Sequence, residues 1–249
     1  MMALAVAAVI ALPAAATLLP GVYSNEEQVY FAREAGKPPP TWLSIRITLD
    51  GDGFRLQPVD AFGVAVADAQ RLRVREGETI TTITSGACVR DFARVPLGLT
   101  VINSRGRCDD MATLSTVLDR GIVLTTAAGV VLDMQRSRSW RCWASMPRAA
   151  KKPDGSVDWW FKPGLMLHDA GGRVAAVTDD ATPQAYTLRM RNVAWPSGPN
   201  QPSVVVYVHA ADPEHAIGYG WADPGARRIG VNLRSVQASC SLVEAGAAR

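Results

Sequence analysis

The sequence is poor in the residues and motifs from which most enzymatic and metal-binding functions are read. It has only three histidines in 249 residues. No Cys-x-x-Cys pair and no His-Glu-x-x-His run is present, so no metal site is expected. A Gly-x-Ser-x-Gly elbow, a phosphate-binding loop and a dinucleotide fingerprint are also missing, and no cofactor is expected. Charge is sparse and balanced, with 26 basic against 23 acidic side chains and a net +3. The basic residues are scattered, and Lys151 and Lys152 are the only adjacent lysines. Nucleic acid calls for a concentrated basic face, so it is excluded as a partner. Beyond the N-terminus no apolar run is long enough to cross a bilayer, so the mature chain is expected to carry no transmembrane span.

What is present describes a folded, exported chain. Hydrophobic residues make up 48% and charged residues 20%, a balance that supports a core and argues against disorder. The first 20 residues are uncharged. An apolar run ends in Pro13-Ala14-Ala15-Ala16, which reads as a secretory signal over residues 1–16 with cleavage after Ala16. No Lys or Arg precedes the run, so the signal is atypical or its true start lies elsewhere. Residues 17–249 are taken as one barrel-like domain. The expected location is periplasmic or secreted. Cys88, Cys108, Cys142 and Cys240 all lie beyond the signal, and an even count in an oxidising compartment predicts two disulfides. Of three possible pairings, Cys88–Cys108 with Cys142–Cys240 is favoured.

The hydrophobic period is two along most of the chain. One helix is expected after Ser24, with Ser24 as its cap and Glu27 completing a capping box. Gly36 and Pro38-Pro39-Pro40 end it. Trp42 to Leu49 then alternates, with Ile45, Ile47 and Leu49 on one face. Asp50-Gly51-Asp52-Gly53 is a hairpin turn; Phe54 and Leu56 stand where a calcium loop would need oxygen ligands. Further alternating runs follow at Arg71–Arg75, Tyr186–Arg191 and Ile229–Arg234, and Thr79–Ile83 is a β-branched run. Ser203–Val208 reads as a central strand. Hairpins are expected around Ala127-Ala128-Gly129 and Ala170-Gly171-Gly172. About ten strands with closely spaced turns predict an all-β fold, an antiparallel calycin-like barrel or sandwich with one short N-terminal helix.

Gly21-Val22-Tyr23-Ser24-Asn25-Glu26-Glu27-Gln28 resembles the opening of the CpcT/CpeT chromophore-lyase-like family, which begins with a Gly-x-aromatic-Ser-Asn-x-x-Gln motif. Gly86-Ala87-Cys88, followed by Gly106 and Cys108, is similar to the Gly-Cys and later Cys that the family carries around a short hairpin. The resemblance covers the first half of the chain. It implies a calycin-like barrel with a central pocket and an N-terminal helix at one end. The family's Asp-Arg-Gly lies far beyond the second cysteine, whereas here Asp119-Arg120-Gly121 follows after about eleven residues. An exported chain would not meet cytoplasmic phycobiliproteins, so the resemblance bears on fold and pocket rather than on bilin attachment.

The functional expectation is a small hydrophobic or amphipathic ligand in such a pocket. Tyr23, Trp42, Trp143 and Tyr207 are the candidate liners by residue type and element. The alternative is a secreted enzyme with His168 as general base beside Asp169. A third reading is a structural or interaction protein of the envelope. His209, His215 and Asp223 read as loop residues rather than a site. Arg136, Arg138 and Arg141 around Trp140 and Trp143 fit a solvated face packed over rings, or an anionic or aromatic ligand.

Overall fold

A computed structural model describes residues 14–108, 113–195 and 198–244. Residues 1–13 of the expected signal lie outside the described residues. The fold is predominantly antiparallel β, as expected. The contacts divide it into two compact units, rather than the single barrel expected over 17–249. The first holds the described residues up to Tyr23 with 45–58 and 67–136, and the second holds 24–44, 59–66 and the chain from Ser137 on.

Ten strands close a barrel in the first unit: β1 (Gly21–Ser24), β2 (Ser44–Asp50), β3 (Gly53–Val59), β4 (Gln70–Glu76), β5 (Ile80–Ser85), β6 (Cys88–Val95), β7 (Gly98–Gly106), β8 (Thr113–Leu118), β9 (Gly121–Thr125) and β10 (Val131–Arg136). β2 to β10 are neighbours in chain order, and β1 closes the ring between β10 and β2. Closure leaves no edge strand exposed to pairing. Alternation sends Ile45, Ile47, Leu72, Ile83, Phe92, Leu99, Val117, Ile122, Leu124, Leu132 and Met134 into burial. Leu49 departs from the expected face and is 65% exposed, one residue before the β2–β3 turn.

A helical turn, α1 (Ala15–Leu18), precedes the barrel and spans the expected cleavage site. Ala15, Leu18 and Leu19 are buried, and the Tyr23 hydroxyl points at the carbonyls of Leu18 and Leu19. The Ala15 N–H donates to Glu76 Oε1 at 2.7 Å. Thr81 and Arg94 donate to the other oxygen of Glu76. Glu76 ends β4 and Thr81 lies at the start of β5, so α1 caps that end of the barrel.

The second unit contains α2 (Glu26–Glu34) and eight strands: β11 (Ser139–Lys151), β12 (Val157–His168), β13 (Ala170–Val177), β14 (Ala185–Val193), β15 (Ser203–His209), β16 (Ala216–Ala222), β17 (Arg228–Asn232) and β18 (Gln237–Leu242). They form two four-stranded sheets, β12-β11-β18-β17 and β13-β14-β15-β16. One core joins them, built from Trp140, Cys142, Met146 and Ile229 of the first sheet and Leu188, Met190, Val204, Val206 and Val208 of the second. The alternatives of barrel and sandwich are therefore both present in the one chain. Ser203–Val208 is a central strand, as expected.

The capping box does not form. Asn25, not Ser24, precedes the first helical residue of α2, and its side chain is spent on Thr41 and Leu43. Ser24 Oγ still accepts the Glu26 N–H, and Glu27 accepts the N–H of Ala194. The hairpin expected around Ala170-Gly171-Gly172 also fails, because β12 and β13 belong to different sheets. The chain changes sheet at Asp169. Its carboxylate accepts the Arg138 N–H at 2.7 Å and Arg138 Nε at 2.6 Å, and its own carbonyl accepts the Asn192 N–H. These bonds hold a corner between the sheets in place of a hairpin turn. Both favoured disulfides are present, Cys88–Cys108 and Cys142–Cys240. No helix among the described residues is long and apolar enough to cross a membrane.

Candidate functional site: the barrel lumen

The barrel contains a cavity of about 530 Å³. Its lining residues place it where β4 begins (Gln70), β5 ends (Ser85) and β6 begins (Cys88), opposite the end that α1 caps. The apolar wall is Leu56, Leu72, Ile83, Phe92, Leu114 and Leu124. Its volume lies inside the ordinary range of small-molecule sites, about 300–1,000 Å³.

The Cys88–Cys108 disulfide lies on the rim and ties the start of β6 to the residues just after β7. Gly106, opposite Cys88 in the β6–β7 register, has φ +80°, and a β-carbon there would lie 2.1 Å from the Ala87 carbonyl. Only glycine allows the strand to pass that close.

Charge in the described lining is cationic, beside the neutral polar side chains of Gln70, Thr84 and Ser85. The described lining residues include Arg71, Arg73, Arg90 and Arg107 and no carboxylate. Arg71 pairs with exposed Asp52 outside the wall. Arg90 differs from the other three, which are exposed. It is partly buried among Ile83, Phe92 and Leu114, and its Nη1 donates to the Leu114 carbonyl at 2.8 Å. Its Nε is buried with no acceptor among the described residues. Burial pushes the Arg90 pKa below its ordinary value. It stays a cation at any physiological pH, since guanidinium does not deprotonate in that range.

The four expected liners lie elsewhere. Tyr23 is fully buried, holds α1 and lies under the Arg136 guanidinium; burial raises its pKa. Trp42 is 41% exposed and donates to Ser24 Oγ. Trp143 packs against Phe161, and Tyr207 against Tyr219 and the Arg189 guanidinium. None of the four is among the residues lining the cavity. Residue type pointed to tryptophan and tyrosine, whereas all seven tryptophans fall in the second unit. The signal that finds the lumen is Arg90 between apolar neighbours on an otherwise inward face of β6.

Asp169 is buried and both its oxygens are taken by Arg138, whose guanidinium also lies over the Trp140 ring. His168 Nδ1 faces the Ala170 N–H at 3.4 Å. The pair is thus built into the sheet corner. His215 is exposed and paired with Asp212, which raises its pKa. His209, expected on the surface, is 2% exposed.

A second polar cluster lies in the second unit. Glu26 of α2 pairs with Arg189 and with Arg191 of β14, whose Nε lies 2.9 Å from Glu26 Oε2. The Arg191 guanidinium is 3.9 Å from the centre of the Tyr30 ring. Burial opposes its charge, but Glu26, with Tyr207 and Tyr30, outweighs that, and its pKa rises. His209 is shifted the other way, by burial and then by Arg173 and Arg189. The cluster fastens α2 to the sheet through one carboxylate and two guanidiniums. No group of side chains suited to a metal ion occurs among the described residues.

No protein-family model matches the sequence, and neither a curated protein nor a solved structure matches it.

Proposed function

We propose that the chain is an exported barrel protein of CpcT/CpeT-like type that binds a small hydrophobic or amphipathic ligand in its lumen. The observation that carries the reading is the apolar cavity at the uncapped end of the barrel. Barrel mouths are a recurrent place for such sites. The motif residues that suggested the family form β1 and the start of α2, and the Gly-Cys and Cys elements meet at the cavity rim. Two disulfides and the absence of a membrane-crossing helix among the described residues are compatible with a periplasmic or secreted location.

The test uses a neutral fluorescent probe, N-phenyl-1-naphthylamine. It should bind the purified protein saturably with a blue-shifted emission. Leu114→Trp, which fills the cavity from its wall, should reduce that binding at least tenfold. Equal binding by both proteins would place the probe outside the lumen and remove the reading. Osmotic-shock release from the native host tests export: recovery in the shocked cells, with thiols that titrate without reductant, would refute it.

One observation favours a second reading, an interaction protein of the envelope. Ile217, Tyr219 and Trp221 alternate along β16, an outer strand of its sheet, at 48%, 64% and 72% exposure. A contiguous apolar stripe of this kind marks contact surfaces. Trp221→Ser would then abolish cross-linking to a partner in the host and leave probe binding unchanged.

A further inference from the structure

We propose that the occupant of the lumen is an anionic amphiphile, a long-chain carboxylate whose headgroup pairs with Arg90 and whose hydrocarbon tail lies along Leu72, Ile83, Phe92 and Leu124. The proposal rests on the lumen being the binding site and adds to it the chemical class of the ligand.

Charge accounting within the barrel carries the argument. Arg90 is partly buried, but its Nε is cut off from solvent with no acceptor among the described residues, and a buried polar group without a partner is costly. Strands β3 to β8 contain two carboxylates among the described residues, Glu76 and Asp91. Glu76 lies at the far end of the barrel, engaged by Ala15, Thr81 and Arg94. Asp91 follows Arg90 on β6 and therefore faces outward, where Arg105 and Thr82 hold it. Neither serves Arg90. The one described acceptor for Arg90 is the neutral Leu114 carbonyl, and its Nε has none.

The wall narrows the ligand class further. Five of its six apolar side chains are Leu or Ile and one is aromatic. An aliphatic wall with one fixed cation suits a flexible chain ending in one negative charge. Guanidinium receives a carboxylate in a bidentate fork, and in a desolvated site such a bond is charge-assisted at both ends. Arg107, exposed beside the rim disulfide, adds positive charge near the opening, whereas Arg71 is neutralised by Asp52.

The experiment compares laurate with its neutral analogue dodecanol, by displacement of N-phenyl-1-naphthylamine from the full chain and from Arg90→Met. Methionine keeps the length and removes the charge, and an apolar replacement of a buried cation is compatible with folding. The wild-type protein should prefer laurate to dodecanol by about ten- to a hundredfold. Arg90→Met should lose that preference, read as the ratio of laurate to dodecanol affinity within each protein. Arg90→Lys, which keeps a cation but not the fork, should retain part of it. Because the headgroup is desolvated, the preference should survive 0.5 M salt, in contrast to a rim attraction. Equal laurate affinity in the wild type and Arg90→Met overturns the proposal, as does a wild type that binds the neutral probe and excludes laurate. If the wild type binds no probe at all, the lumen reading fails as well. If Arg90→Met loses the neutral probe too, the Arg90→Lys protein decides: loss of the laurate preference with the charge retained and the probe bound counts against the proposal.

Discussion

Cys142–Cys240 provides a perturbation with a calculable size and an optical readout confined to one unit. The two cysteines face each other in the β11–β18 register, are 2% and 0% exposed, and are separated by 98 positions. Closing a loop of about 100 residues is worth about 4.7 kcal/mol at 25 °C in the chain-entropy account, against about 3 kcal/mol for a loop of about 20. Removing Cys142–Cys240 should therefore cost more than removing Cys88–Cys108, which closes 20 positions. All seven tryptophans lie in the unit that holds Cys142 and Cys240, and none lies in the barrel unit. Intrinsic tryptophan fluorescence during urea unfolding thus reports the sandwich and is silent on the barrel. With a slope of about 2 kcal/mol per molar urea, Cys142→Ala/Cys240→Ala should lower the fluorescence midpoint by about 2 M. Cys88→Ala/Cys108→Ala should leave that midpoint unchanged. An unshifted midpoint in the first variant would refute the loop-entropy reasoning. A shift of equal size in the second would show that the two units do not unfold separately.

Three further outcomes are expected. Glu26→Gln leaves the guanidiniums of Arg189 and Arg191 without their carboxylate, and breaking a buried pair costs about 3–5 kcal/mol; the same fluorescence titration measures it, and an unchanged midpoint would show that water replaces the pair. His209 has a pKa held below its ordinary value by burial and by Arg173 and Arg189, against the upward pull of the backbone at Asp212 and His215. As pH falls below about 6.5 the unfolded chain takes up a proton that the folded chain does not, so stability declines until the folded value is passed; His209→Phe should flatten that part of the acid titration, and an unaltered profile would assign the decline to other groups. On the export reading, cleavage after Ala16 leaves Thr17 as the mature N-terminus and removes the bond from Ala15 to Glu76; intact mass of the secreted protein checks that start, and any other N-terminus would overturn it.

The parts of the fold legible in sequence are those set by local rules. Alternation over Tyr186–Arg191 and Ile229–Arg234 gave strands, Gly51 gave the β2–β3 turn, and an even cysteine count gave both bridges. What failed was non-local. Ala170-Gly171-Gly172 has hairpin composition, yet Asp169 is bonded to Arg138, 31 positions away in sequence, and that contact sends β13 into the other sheet. Glu27 has capping-box spacing, yet its carboxylate is used by Ala194. Asp169 beside His168 looked like an acid–base pair because sequence shows neighbours and not the arginine that occupies both carboxylate oxygens.

The same limit applies to the tryptophans and tyrosines, which are plentiful in the sequence but do not line the lumen. Aromatic faces grip flat conjugated ligands through stacking, and the sequence holds seven tryptophans and five tyrosines. The barrel unit received no tryptophan and one tyrosine, Tyr23, which is consumed in holding α1. Among the described residues its lumen offers Phe92 alone as an aromatic wall. A planar ligand with several charges would find one ring to stack on and one partly buried guanidinium to meet them. A single-chain carboxylate matches that inventory in both respects.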